Sequence, residues 1–188
     1  MKILYFDCET TGTDPVRHDI IQFSGMMEVS GVVKDTLNIR MKPFSEENID
    51  PRALEVTGLT KEQVMSEQDP EQAYRQIIQF FGKHIDKFDR TDKFYPAGYN
   101  VKFDLDFLYN FFKKNKDDYF GSYCNWKAID GLPLMHYMEW IGAVELPDYK
   151  LSTVCAHYGI SIDAHDAQSD IEATRELLLK LRYSLKYI

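Results

Sequence analysis

Four apolar residues, Ile3-Leu4-Tyr5-Phe6, lead straight into an acidic turn, Asp7-Cys8-Glu9-Thr10-Thr11-Gly12. A run of this kind, ended by Gly12 and Pro15, is the pattern of a short buried strand. Side chains alternate along a strand, so Asp7 and Glu9 point to one side at its C-terminal end. Two carboxylates placed like that repel each other unless a cation lies between them. The carboxyl end of a central strand is also where α/β sheets put their ligands. A solvated turn with helix-capping threonines is the competing reading, and the rest of the chain decides between the two.

Further strands are expected over residues 20–29 and 36–41. Turn signals at Ser30-Gly31 and Lys42-Pro43 set them close enough for an antiparallel meander. Residues 44–70 read as polar and irregular, broken by Pro51, Gly58 and Pro70. A helix is expected over 70–85, capped by Asp69, with Ala73, Ile77, Phe80, Phe81 and His84 on one face. That face makes Gln76-Ile77-Ile78-Gln79-Phe80-Phe81 core, although the stretch faintly resembles a sliding-clamp peptide. A strand at 94–99, a strongly apolar helix at 101–114 and helices near 131–142, 150–158 and 165–183 complete the pattern. Strands first and helices interleaved afterwards predict an α/β fold with a mixed sheet. With no repeat, low-complexity tract or Gly/Ser linker, a single domain over residues 1–188 is expected.

The second acid of interest is Asp104, in Asn100-Val101-Lys102-Phe103-Asp104-Leu105-Asp106. On a helix Asp104 shares a face with Phe107, Leu108 and Phe111, whereas Asp106 falls with Asn110 and Lys113 on the solvent side. A carboxylate on an apolar stripe is costly to bury unless it is paired or bound to a metal. Asp170 repeats the pattern, lining up with Thr174 and Leu177, while Glu172 and Glu176 fall outward. His165, five residues earlier, reads alone as a cap or a packed ring. Beside three inward carboxylate positions it becomes a candidate general base, because an imidazole pKa of ~6.5 suits proton removal near neutrality. Four carboxylates without a Cys/His ligand set form a hard, all-oxygen site, which fits Mg²⁺ or Mn²⁺ and fits zinc poorly. Carboxylate pairs that hold two metals are the apparatus of in-line phosphodiester attack.

Composition narrows the class. Hydrophobic residues at 44% and aromatics at 14% exclude intrinsic disorder. No apolar run approaches the ~20 residues of a spanning helix, so no membrane partner is expected. Acid arrives by Asp7, too early for a secretory leader, and a cytoplasmic protein is expected. Three cysteines, Cys8, Cys124 and Cys155, without CxxC spacing argue against a disulfide framework and a zinc ribbon. The 22 Lys and Arg against 30 Asp and Glu leave a net charge of -8, which ordinarily argues against a nucleic-acid partner. Acids that converge on a metal reverse that argument, since the cations draw in phosphate.

Asp7-x-Glu9-Thr10-Thr11-Gly12, Asn100-x-x-Phe103-Asp104 and His165-x-x-x-x-Asp170 together resemble the three motifs of the DEDDh 3′–5′ exonucleases. Within that family the likeness is to the proofreading epsilon subunits of bacterial DNA polymerase III, and it spans residues 2–181. The resemblance implies a ribonuclease-H-like fold, a five-stranded mixed sheet flanked by helices. It implies two Mg²⁺ or Mn²⁺ ions, with Asp7 bridging them, Glu9 and Asp170 completing the site of the water-binding metal, and Asp104 holding the second. His165 would take the proton from the attacking water, and Thr10, Thr11, Asn100 and Phe103 would seat the terminal nucleotide. The substrate would be nucleic acid with a free 3′ end, single-stranded DNA favoured, and the partner a DNA polymerase or repair complex.

The pattern departs from the family at Thr57, where proofreading subunits commonly carry His. RNA-directed members share the same five residues, so an exoribonuclease is the alternative, and a catalytically silent nucleic-acid-binding module a further one. Phe6-Asp7-Cys8-Glu9-Thr10 superficially resembles the first motif of haloacid-dehalogenase phosphatases, but that motif wants Asp at the position of Glu9. Phe103, Tyr99 and Trp126 are candidates for stacking on bases. Lys102, Lys113, Lys114 and Lys116 could form a modest phosphate track, so weak binding to long strands is expected.

Overall fold

The computed structural model describes residues 1–163 and 166–184. β1 (Lys2–Thr10), β2 (Ile20–Val29) and β3 (Val32–Arg40) form the expected antiparallel meander. Ser30 and Gly31 both have positive φ, 53° and 84°, the backbone that a two-residue hairpin with the strands' own twist requires. β3 begins earlier than the 36–41 reading because its first residues, Val32 to Lys34, face solvent and carry no inward alternation.

β4 (Tyr95–Gly98) and β5 (Ile129–Asp130) add to β1 in parallel, giving the order β3-β2-β1-β4-β5. This is the mixed five-stranded sheet that the three motifs implied. β1 lies at its centre, antiparallel to one neighbour and parallel to the other, so the carboxyl ends of β1, β4 and β5 share one edge.

Helices cover both faces. On one, α3 (Pro70–Gly82) and α4 (Val101–Lys114) pack with Leu4, Phe6 and Cys8 of β1 in a large aromatic core that includes Phe23, Phe81, Phe94 and Phe112. On the other, α7 (Ala167–Ser184) lays Ile171 and Leu178 on Tyr5, Met26 and Ala97. α5 (Gly131–Trp140) and α6 (Leu151–Tyr158) pack against α7 through Met135, Val154, Cys155 and Leu177. Ile77, Phe80 and Phe81 are buried, so the clamp-like stretch is core.

Two expectations are corrected. The 44–70 segment contains α1 (Pro51–Thr57) and α2 (Lys61–Met65), because Asp50 caps Arg52 N and Thr60 forms a capping box with Gln63. Pro51 opens a helix rather than breaking one. Asp69 makes no capping hydrogen bond; its carboxylate pairs with Lys42 at 2.6 Å. Among the described residues no helix is long and apolar enough to cross a membrane.

Candidate active site at the carboxyl edge of the sheet

Alternation along β1 sends Leu4, Phe6 and Cys8 to the α4 face and Tyr5, Asp7 and Glu9 to the α7 face. Asp170, in the first turn of α7, belongs to that second face. Asp104 comes from the other side, on the first turn of α4, and is 5% exposed. It reaches β1 directly, where its Oδ1 accepts the backbone N–H of Cys8 at 3.0 Å. Four acids from three elements therefore meet at the end of the central strand. His165 lies outside the described residues.

Their mutual charge is visible in their proton affinities. Burial first, then the charges of Asp104, Glu9 and Asp170, holds the Asp7 carboxyl well above the usual range. Glu9 is pushed up to about 7 by burial, Asp170 and Asp166, against the pull of Arg40. Asp104 is raised to about 8 mainly by burial, with Glu9 and Asp130 adding to it and the hydrogen bond from Cys8 opposing it.

These residues fit a divalent cation. The donors are all oxygen, Asp104 is buried and the other three are half-buried, and a positive charge among them would relieve the repulsion. The hydroxyl of Ser24, paired with Asp7 across the ladder, is buried with no hydrogen-bond partner among the described residues. The chemistry of the donors, not their spacing, carries that fit: among the described residues no three His, Cys, Asp or Glu groups stand together as a ligand set.

A cleft of about 550 Å³ opens on the Glu9 side, lined by Thr10, Gly12, Arg52, Thr57 and Phe103. Thr57, at the family's usual His position, thus faces the cleft, with its hydroxyl donating to the Leu54 carbonyl at 3.2 Å. Thr10 spends its hydroxyl on the Gly12 carbonyl at 2.7 Å. Thr11 is fully buried, and its hydroxyl accepts the Asp19 N–H at 2.9 Å. A Cβ on Gly12 would lie 2.5 Å from Nδ1 of His18, the atom that accepts the Asp14 N–H, so the loop closes only around glycine there. Arg52 and Asp50 escaped the sequence reading, although an Asp-Pro pair opening a helix was the signal available. Asn100 adopts φ 62° and lies beyond this cleft; its N–H donates to Asp130 Oδ1 at 2.8 Å.

The lysine track is largely spent within the protein. Lys102 pairs with Asp106, Lys113 with Asp118, and Lys114 with the buried Asp19 at 2.6 Å. Trp126 packs on Tyr109 and Phe120 rather than toward the acids.

Asp19 also accepts from Phe44 N and Asn48 Nδ2, at 3.0 and 2.7 Å, and Thr11 accepts the N–H of Asp50 at 2.8 Å. The loop after β1 is thereby tied to the end of α4 and to the start of α1, and α1 is one wall of the cleft. Asp19→Ala should destabilise the protein by about 3–5 kcal/mol in urea unfolding, because it strands a largely buried ammonium. Asp19→Asn, which keeps acceptor oxygen, should lose less; equal stability of Asp19→Ala and wild type would refute the tie.

A family model described as exonuclease, RNase T, matches residues 4–178. The chain belongs to the RNase T exonuclease family. The match runs through the first two motifs and Asp170, in agreement with the resemblance read from the sequence.

This exonuclease-family chain is 27% identical over 178 residues to the PolC-type DNA polymerase III of Clostridium perfringens, covering 94% of the chain and 11% of that protein. The PolC-type polymerase of Latilactobacillus sakei is also 27% identical, over 181 residues, covering 96% and 11%. The chain thus spans about a ninth of the length of the curated relatives it matches. Among solved structures, E. coli exonuclease I in complex with a 5cy-dA13 oligonucleotide superposes with a TM-score of 0.76 at 23% identity, over 98% of this chain and 43% of that one. The zinc-bound form of an E. coli exonuclease I–ssDNA complex gives 0.78 at 24% identity, over 97% and 41%. These likenesses show the fold, which is ribonuclease-H-like.

Proposed function

We propose that this domain, placed over residues 1–188, is a metal-dependent 3′–5′ exonuclease of proofreading or repair type that removes nucleoside 5′-monophosphates from the 3′ end of DNA. The observation that carries the reading is the meeting of Asp7, Glu9, Asp104 and Asp170 at the carboxyl edge of the sheet, close enough that the other three raise the Asp7 carboxyl. The family's exonuclease description and the PolC-type relatives support it. They also suggest a polymerase or repair complex as partner.

Asp7, Glu9, Asp104 and Asp170 would hold two Mg²⁺ or Mn²⁺ ions between them. When bound, such ions supply the positive charge that draws in phosphate and stabilises the attacking and leaving oxygens. Without that charge the acids repel a phosphodiester, so the same residues gate binding and chemistry together. Thr10, through its backbone, and Phe103, through its ring, face the cleft that would seat the terminal nucleotide; Thr11 and Asn100 hold the loop and helix on either side. His165, placed here from the sequence, would accept the proton of the water whose oxygen bonds phosphorus as the bond to the leaving 3′ oxygen breaks.

The test is a time course on 5′-labelled single-stranded DNA, RNA and mismatched duplex with Mg²⁺ or Mn²⁺. A ladder receding from the 3′ end, fastest on single-stranded DNA and stopped by EDTA, is expected. Shortening from the 5′ end, or no product with either ion, would overturn the reading. A faster ladder on RNA would replace DNA with RNA as substrate.

A further inference from the structure

Two hydroxyls beside the acids are already engaged. Thr10 donates to the Gly12 carbonyl at 2.7 Å, and Thr11 accepts the Asp19 N–H at 2.9 Å. Ser24 differs. It sits in the middle of β2, 0% exposed, and its hydroxyl has no hydrogen-bond partner among the described residues. A buried hydroxyl left unpaired costs stability, so one beneath a cluster of acids calls for a reason.

The sheet limits what can pair with it. Residues directly opposite on neighbouring strands share a face, so Ser24 stands on the α7 face between Asp7 of β1 and Asn38 of β3. Along β2 the same face carries Gln22 and Met26. Gln22 Nε2 donates to Asn38 Oδ1 at 2.9 Å, which ties those two side chains to each other. Met26 packs in the apolar cluster with Tyr5 and Ile171. Asp7 is the neighbour that remains, and an ionised carboxylate only accepts. Opposed residues of a ladder hold their Cβ atoms about 4.5–5.5 Å apart, so side-chain rotation alone brings a serine hydroxyl onto a facing carboxylate.

We propose that Ser24 is a positioning residue for the acids: its hydroxyl donates to the Asp7 carboxylate when that carboxylate holds a divalent cation. The inference rests on the metal-dependent reading of the site. Ser24 lies too deep to touch a nucleic-acid strand and acts through Asp7 alone. Ligating carboxylates depend on such outer hydrogen bonds to fix which way their oxygens point. In metal-free protein the unpaired hydroxyl is a cost, and in the loaded protein it holds Asp7 in place. The serine thus weakens one state and strengthens the other.

That opposition is the test. Ser24→Ala deletes the hydroxyl and little else. On the full chain, two quantities are measured: melting in EDTA, and Mn²⁺ affinity from the electron paramagnetic resonance signal of the free ion. The variant should melt in EDTA at the wild-type temperature or up to about 3 °C above it. Mn²⁺ should bind it about tenfold more weakly. Added to Asp7→Ala, the same substitution should change Mn²⁺ affinity by less than about twofold, because its partner is gone. Unchanged affinity in Ser24→Ala would overturn the assignment. So would a lower melting temperature in EDTA, which marks a packing role, or an undiminished loss in the Asp7→Ala background. If the wild type binds no Mn²⁺, the metal reading itself fails, and the role of Ser24 with it.

Discussion

Asp7→Ala should lower nuclease activity by about 10³-fold or more and, in metal-free protein at about pH 8, raise the melting temperature. The two effects share one cause. Asp7 stands where the charges of Asp104, Glu9 and Asp170 all bear on it, and burial adds to the cost of its own charge. Removing it relieves repulsion among the acids and, on the proposed reading, removes one of the residues that would hold the cations. The measurement pairs oligonucleotide hydrolysis in Mn²⁺ with melting curves in EDTA and in Mn²⁺. The variant should also lose most of the Mn²⁺-induced rise in melting temperature. Full activity in Asp7→Ala would end the two-metal reading, and a lower metal-free melting temperature would show that Asp7 serves packing instead.

Metal-free protein should lose stability as pH rises across the range where most proteins are steady. Glu9 ordinarily titrates near 4.5 and here near about 7; Asp104 ordinarily titrates near 3.8 and here near about 8. Both pKa values are higher folded than unfolded, so the folded state holds protons that the unfolded chain has released. Stability from these groups is fully present below about pH 4 and is lost as pH climbs through about 7 to 8. Glu9 alone accounts for about 3 kcal/mol of that loss. A divalent cation competes with the same protons, so stabilisation by Mn²⁺ should be larger at about pH 8 than at about pH 5. Urea unfolding at both pH values, in EDTA and in Mn²⁺, checks the sign. Metal-free stability that rises with pH, or Mn²⁺ that stabilises equally at both, would refute it.

Period and polarity made much of the architecture legible before any coordinates. Ile3 to Phe6 ends at acids because β1 is covered on both faces along its length but open at its carboxyl edge. The apolar stripe of α4 could be read through Asp104 because Leu105, Phe107, Leu108 and Phe111 hold the period around it, and the structure buries all of them. What failed was proline and shortness. Pro51 read as a breaker, yet after Asp50 its missing N–H is one that a first helical turn leaves unpaired anyway. β5, with Ile129 and Asp130 alone, has no periodicity to detect and exists through its pairing with Ala97 and Gly98.

The site was legible in its acids and illegible in its walls. Asp7, Glu9, Asp104 and Asp170 stand out because a charge on a buried face violates a local rule. Arg52 violates none; it is an ordinary surface residue until the fold puts it beside the cleft. Lys114 errs the other way, since one-dimensional reading adds its charge to a surface track while Asp19 takes it inside.

The contact that brings α4 to β1 uses the backbone of Cys8, not its thiol. Position 8 is therefore indifferent to side-chain chemistry so long as the side chain is small, apolar and fits the α4-facing core; proline alone would delete the donor. Cys124 and Cys155 are buried too, and all three thiols are free. A cysteine-free chain with Val or Ala at these positions would leave the acids where they are. It would provide a blank background on which single labels could test whether a strand enters the cleft beside Glu9.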